Sequence, residues 1–243
     1  MGPEIKKVEL LTNRVQKQAT TMDYTNPLYL DFKEKFLQIK ALAEAGKSAN
    51  NLELIEKISR QSLDTLNYVL FAMHAKQTEL QLTSISAAAA AQDVASELSN
   101  IARAYNVELE MLASKKLEPV YANQSAVKGS LYGLLSSMIV SCPSAGHKKS
   151  KIVVAVQQTA ISTQRIGVYS EDISISLADI SKAGNLSSKA KMSSPETTSS
   201  SGIGYALAGQ FVDLLNSDLQ SFSHKAAKGV GFYVPISHQL ALI

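Results

Sequence analysis

The sequence predicts an α+β protein in which a long helical hairpin, paired with that of a second chain as a dimeric four-helix bundle, is followed by an α/β sandwich. Two observations carry the prediction. Apolar residues recur at alternating spacings of three and four from Tyr29 to Met73, and from about Thr78 the pattern changes to strand-like alternation interleaved with helices. With 243 residues, 45% of them hydrophobic, the chain is long enough to bury one large core or two small ones.

The elements follow in order. Ile5, Val8, Leu11 and Val15 share one face of a short amphipathic helix over 4–20, within an N-terminal extension spanning 1–25. Asn26-Pro27 marks the next start, and Tyr29, Phe32, Phe36, Ile39 and Ala43 then repeat up to Gly46, a glycine stop. After a turn at Ser48-Ala-Asn-Asn51, the residues Leu52, Ile55, Ser59, Ser62, Leu66, Val69 and Met73 continue the spacing in a second helix. The two helices make an antiparallel hairpin over 26–80. A lone hairpin cannot bury both stripes, whereas two hairpins can, so a homodimer is the physical expectation; polar Ser59 and Ser62 weaken the seam.

Residues 81–243 form the second predicted domain, its first strand read from Glu79-Leu-Gln-Leu-Thr83. An alanine-rich helix over 87–104 carries Val94, Leu98 and Ile101, and 107–112 alternates as a strand. Leu117-Glu-Pro-Val-Tyr121 is a short strand, 124–141 a helix, 151–158 and 165–169 strands, and 203–221 a helix, with a last strand after Lys228. The stretch 185–201 is rich in Ser, Thr and Lys without hydrophobic periodicity, and reads as a mobile surface loop.

Composition narrows the function classes. Net charge is only +3, with 24 basic and 21 acidic residues, and the one local cluster, His147-Lys-Lys-Ser-Lys151, reads as a solvated loop, so no nucleic-acid partner is expected. Cys142 is the single cysteine; it cannot form an intrachain disulfide and reads as buried packing. No Cys/His cluster has zinc-ligand spacing, so no metal is expected. No apolar run approaches the roughly 18 to 20 residues of a membrane span, and the first residues lack a signal-peptide core, which predicts a cytoplasmic chain.

The C-terminal stretch Ser199-Ser-Ser-Gly-Ile-Gly-Tyr-Ala-Leu-Ala-Gly209, followed by Lys228-Gly-Val-Gly-Phe-Tyr-Val-Pro235, resembles the closing signature of the histidine-kinase ATPase family. In that family a Gly-x-Gly turn opens a helix and a glycine-flanked strand ends the sheet. Glycines without a Cβ, here Gly202 and Gly204, let backbone approach phosphate oxygens at a helix N-terminus. The resemblance extends over about 26–243. Glu79-Leu-Gln-Leu82 is similar to the strand after the hairpin, Tyr105-Asn-Val-Glu-Leu-Glu110 to the strand after the first ATPase helix, and Pro119-Val-Tyr-Ala-Asn123 to the turn ahead of the Asn-motif helix. It implies the layout of a two-component sensor histidine kinase: a dimerisation and phosphotransfer hairpin, then a histidine-kinase-type ATPase α/β sandwich.

The same resemblance exposes what is missing. In Leu30-Asp-Phe-Lys33 the family's phosphoacceptor His is replaced by Leu30, which has no lone pair with which to take a phosphoryl group. On the helix Leu131-Tyr-Gly-Leu-Leu-Ser-Ser-Met-Ile-Val140, Ser137 stands where an Asn would hold magnesium, and Ser136 and Gly133 fill other polar positions. In Ile166-Gly-Val-Tyr-Ser-Glu-Asp-Ile-Ser174, Ser170 falls at the adenine-binding Asp; Asp172 and Ser174 fall at glycines, and Asp172 substitutes only after a two-residue slip. The resemblance therefore implies a degenerate member that lacks autophosphorylation. It acts as a dimeric interaction module, with no catalytic residue and no cofactor, and meets a response-regulator receiver domain around Asp31, Lys33 and Lys40. The alternative is a divergent histidine kinase or phosphotransferase that binds ATP and magnesium through Gly202, Gly204, Ser137 and Asp172, with an acceptor such as His74. The other histidines, His147, His224 and His238, fall in or beside predicted loops.

Overall fold

Gly46 takes φ +108°, a conformation that costs a side-chain-bearing residue energy, and the first helix stops beside it. The computed structural model describes residues 25–46, 48–75, 80–142, 149–160, 162–173 and 201–237. Helix α1 (Thr25–Glu44) and helix α2 (Ala49–Ala75) flank that glycine, and because Lys35 meets Thr65 while Asn51 meets Leu42, they run antiparallel. Ser48 Oγ accepts the Asn51 N–H at 3.1 Å as a cap, and Asn51 Nδ2 donates to the Gly46 carbonyl at 2.9 Å. Residues 49–51, expected as a turn, therefore form the first turn of α2.

The sandwich follows as β1 (Thr83–Ile85), α3 (Ala87–Ala104), β2 (Val107–Ala113), β3 (Val120–Ala122), α4 (Gln124–Ser141), β4 (Ser150–Ala160), β5 (Thr163–Ser170), α5 (Ser201–Leu214), β6 (Gln220–His224) and β7 (Ala227–Pro235). The five-stranded sheet has the order β2-β4-β5-β7-β6, with β2 and β4 parallel and every other pair antiparallel. Strands β1 and β3 pair separately, antiparallel. Alternation sorts the large sheet. Ile152, Val154, Val156, Ile166, Val168, Val230, Phe232 and Val234 point one way and form a single core with Leu98 of α3, Leu131 and Leu135 of α4, and Leu207 and Phe211 of α5. Val153, Ala155, Tyr169 and Ala227 point the other way and make a small second cluster on the opposite face, which carries no helix among the described residues.

Local capping sets the helix bounds. Ser86 Oγ accepts the Ala89 N–H, and Asn123 Oδ1 accepts the Ala126 N–H at 3.0 Å. The Asn123 amide nitrogen also donates to the Gln81 carbonyl, tying α4 to the strand entry.

Three expectations need correction. The strand read at 79–83 forms at Thr83–Ile85, because register with β3 pairs Thr83 with Ala122 and Ile85 with Val120; Glu79 lies outside the described residues. The helix expected to reach 221 ends at Leu214. Asn216 takes φ +54°, the Ser217 N–H bonds the Val212 carbonyl and the Asn216 N–H bonds that of Asp213, a Schellman closure that frees 220–224 to become β6. Third, the α2 stripe is not one seam. Ser62 and Val69 are buried, whereas Leu52 and Met73 are exposed, because the face at 62, 65, 69 and 72 lies against the sandwich. There the Tyr68 ring sits 4.6 Å from that of Tyr132, and Phe71 stacks 5.8 Å from Phe211. The expected helix at 4–20 lies outside the described residues, as does the expected loop at 185–201 except for Ser201, which opens α5.

Candidate functional site

The residues singled out on α4 and α5 meet in one helix crossing. Gly133 and Ser137 on α4, and Gly204 and Ala208 on α5, are each one helical turn apart, so each helix turns a small-residue face to the other. A Cβ on Gly204 would lie 2.2 Å from Ser137 Oγ and 2.6 Å from the Gly133 carbonyl oxygen; one on Gly133 would lie 2.3 Å from the Gly204 carbonyl oxygen. The backbones touch. Ser137 is 2% exposed, and the Ser136 hydroxyl donates back to the Gly133 carbonyl at 3.3 Å. The glycine of the Gly-x-Gly pair and the serine at the Asn position are thus committed to packing against each other.

Beside this crossing lies a crevice of about 20 Å³, edged by Tyr132, Ser136, Ile203 and Gly204 and closed from the hairpin side by Lys35 and Thr65. That is room for one water, whereas a pocket for a drug-sized ligand runs to roughly 300–1,000 Å³. Among the described residues, the space between Ser137 Oγ and Gly204 would not take a methyl group. Gly202 lies in the first turn of α5. Asp172 stands just past β5, exposed, with Oδ2 accepting the Lys151 N–H at 3.3 Å and its own N–H donated to Ser170 Oγ. Its hydrogen bonds hold it at the end of the sheet, beside β4. Cys142 is buried nearby, and burial pushes its thiol up from its ordinary range.

On α1, Leu30 and Asp31 fall within the helix. Lys33 is exposed, and Lys40 is exposed beside Glu44 at 3.7 Å. His74 lies at the exposed end of α2, with Nδ1 2.8 Å from the Leu70 carbonyl. His224, expected in or beside a loop, ends β6 with Nδ1 3.4 Å from Gln157 Nε2; His147 and His238 lie outside the described residues. No group of three or more His, Cys, Asp or Glu among the described residues is arranged to hold a metal ion.

The glycines of the final strand have a different task. Gly229 pairs across the sheet with Tyr169, and Gly231 with Gly167. A Cβ on Gly167 would lie 2.7 Å from Tyr169 Oη, and one on Gly229 2.8 Å from Tyr169 Cδ1, so the Tyr169 ring occupies space that side chains would take. An aromatic ring opposite a strand glycine restores the packing that the glycine lacks. Sequence reading missed this seat, although Tyr169 two residues after Gly167, with Gly229-Val-Gly231 downstream, was its signal. It also missed the Gly133–Gly204 contact, legible as Gly-x-x-x-Ser and Gly-x-x-x-Ala on two helices of one layer.

A two-helix hairpin followed by a helix-on-sheet sandwich is a fold that solved sensor histidine kinases share. The Acinetobacter baumannii histidine kinase AdeS aligns over 86% of this chain and 96% of its own, at 15% identity and a TM-score of 0.51. Full-length ShkA, solved in complex with AMPPNP, aligns over 90% of this chain and 45% of its own, at 15% identity and a TM-score of 0.53. No family model and no curated protein matches the chain. At such identity the shared property is the fold.

Proposed function

We propose that the chain is a degenerate histidine-kinase-like signalling protein, a dimeric regulatory module of a two-component-type pathway that works by contact, without autophosphorylation and without ATP or magnesium. The observation that carries the reading is the crossing at Gly204, where Ser137 Oγ and the Gly133 carbonyl fill the space a phosphate-cradling turn would leave open. Leu30 at the phosphoacceptor position removes the nucleophile as well. The outward face of the hairpin supports the dimer. Phe36 and Leu63 are each 61% exposed, and Leu37, Leu52, Leu70 and Met73 are exposed alongside them, an apolar surface that a second hairpin would cover. Lys33 and Lys40 lie seven residues apart, on one side of α1, and offer a receiver domain a basic face, with Asp31 elsewhere on the same helix. No helix among the described residues is long and apolar enough to cross a membrane, which accords with a cytoplasmic partner.

Incubation with labelled ATP and magnesium tests the reading. It expects no acid-labile label on the protein, and capture of receiver domains that weakens when Lys33 and Lys40 are both replaced by Glu. An acid-labile, base-stable label that disappears in His74→Ala would replace the reading with the phosphotransferase one.

A further inference from the structure

Tyr169 lays its ring back along β5 toward Gly167, with Oη 2.7 Å from the position a Gly167 Cβ would take and Cδ1 2.8 Å from that of Gly229. The ring covers the middle of its sheet face and, among the described residues, leaves the end beyond it uncovered. There a cavity of about 110 Å³, against about 20 Å³ for the crevice at Gly204, runs across the strands. Its floor is apolar, made by Val153 of β4 and Ala227 of β7, with Leu112 of β2 beside them. Its rim is charged. Glu110 and Lys151 form an ion pair at 2.6 Å on the β2–β4 side. Lys225, which takes φ +55° in the turn between β6 and β7, stands on the other side. Glu171 follows directly on Ser170, whose cross-strand partner Lys228 is the neighbour of Ala227, so its carboxylate belongs to the same rim. Lys225 and Glu171 are both exposed, and neither forms an ion pair among the described residues.

His224 borders the cavity with its tautomer fixed. Arg165 Nη2 donates to Gln157 Oε1, which turns the Gln157 amide nitrogen toward Nδ1 of His224 at 3.4 Å. Nδ1 therefore accepts, the ring proton sits on Nε2, and the imidazole adds no charge. The rim then balances, with two ammonium groups, two carboxylates and a neutral imidazole around an apolar floor. A simple anion or cation is attracted by one half of such a rim and repelled by the other, whereas a molecule carrying both charges is attracted by both. Volume limits its apolar part. A void of about 150 Å³ holds benzene, so this one takes a smaller group, of about three or four carbons. We propose that this face of the sheet binds a small zwitterion, an α-amino acid with a branched aliphatic side chain. Its carboxylate meets Lys225, its ammonium meets Glu171, and its side chain lies on Val153 and Ala227. The site is on the opposite face of the sheet from the Gly204 crossing, so the proposal holds whether or not the chain binds nucleotide.

Amide NMR of the full chain, titrated with L-leucine, tests it. Two half-molecules serve as controls: 4-methylpentanoate keeps the apolar body and the carboxylate, and 3-methylbutylamine keeps the body and the ammonium. L-leucine should give saturable shifts at the amides of Val153, Glu171 and Ala227, with a Kd of about 1–10 mM, because a ligand this small has few atoms with which to bind. Each half-molecule should bind about three- to fivefold more weakly, the worth of one exposed ion pair. Lys225→Met and Glu171→Gln should each cost the same factor for L-leucine, and both side chains are exposed, so the melting temperature should stay as it is. The charge variants also carry their own signature, since Lys225→Met should leave 3-methylbutylamine binding unchanged and Glu171→Gln should leave that of 4-methylpentanoate unchanged. No saturable shift at concentrations tenfold above that range, equal binding of L-leucine and 4-methylpentanoate, or L-leucine shifts that persist undiminished in the double variant would each overturn the proposal.

Discussion

Gly204 shows how little one residue's identity says without its neighbours. As a member of Gly-x-Gly it suggests a phosphate; in place, it is the spot where a hydroxyl and a carbonyl leave no room for a methyl group. Gly204→Ala should destabilise the chain by about 1–3 kcal/mol through overpacking. Part of that loss should be recovered in the Ser137→Ala background, which removes the nearest clashing atom but leaves the Gly133 carbonyl, and urea unfolding of the four-member cycle measures the coupling. Tyr169 gives a prediction of opposite sign. Its ring is fully buried over Gly167 and Gly229, yet its hydroxyl has no hydrogen-bond partner among the described residues, and burial raises its pKa. Tyr169→Phe removes the stranded hydroxyl and keeps the ring, so it should be neutral or stabilising by about 1 kcal/mol in the same unfolding assay. A loss of that size would mean that a partner for Oη exists. At this scale the sequence identified the residue types but not their contacts: the spacing of Gly133 and Ser137 was visible, whereas the helix that faces them depends on sheet order.

Among elements, the helices at 87–104 and 124–141 were legible to the residue, because Ser86 and Asn123 are cap residues ahead of long periodic runs. The end of α5 was not, since only the left-handed conformation of Asn216 separates that helix from β6. The stripe on α2 misled for a related reason. Periodicity marks which positions are apolar, but α2 has two neighbours, and the sandwich takes Ser62, Thr65, Val69 and Ala72. The same face carries a pH signature. Burial holds the Asp64 carboxyl above its usual 3.8, outweighing the opposing pull of Arg60 and Lys35. An acid with a raised pKa binds its proton more tightly when folded, so its cost to folding is full above the folded pKa and fades as pH falls through it toward the unfolded value. Glu97 is also held high, by burial and by the Asp64 charge. Asp64→Asn should therefore raise the melting temperature at pH 7, and the gain should shrink toward zero near pH 4. A gain independent of pH would show that burial of this carboxylate is not the cause.

For the whole molecule, the hairpin leaves a broad apolar face open and, among the described residues, the crossing at Gly204 leaves no room for a methyl group. The first property predicts assembly. Leu63→Glu with Leu70→Glu places charge on the outward side of α2, and sedimentation should find the variant monomeric where the parent is a dimer, with folding intact because neither residue is buried. A parent that is already monomeric would refute the dimer. The second property carries the central claim, that this fold has been kept as a scaffold after the loss of its nucleotide. Isothermal titration with an ATP analogue and magnesium, paired with a thermal-shift scan, tests it most directly. Ligand at 100 times its Kd would stabilise the native state by about 2.7 kcal/mol, a shift too large to miss. The account predicts no heat and no shift at millimolar nucleotide, while saturable binding that is abolished by Gly204→Val would contradict it.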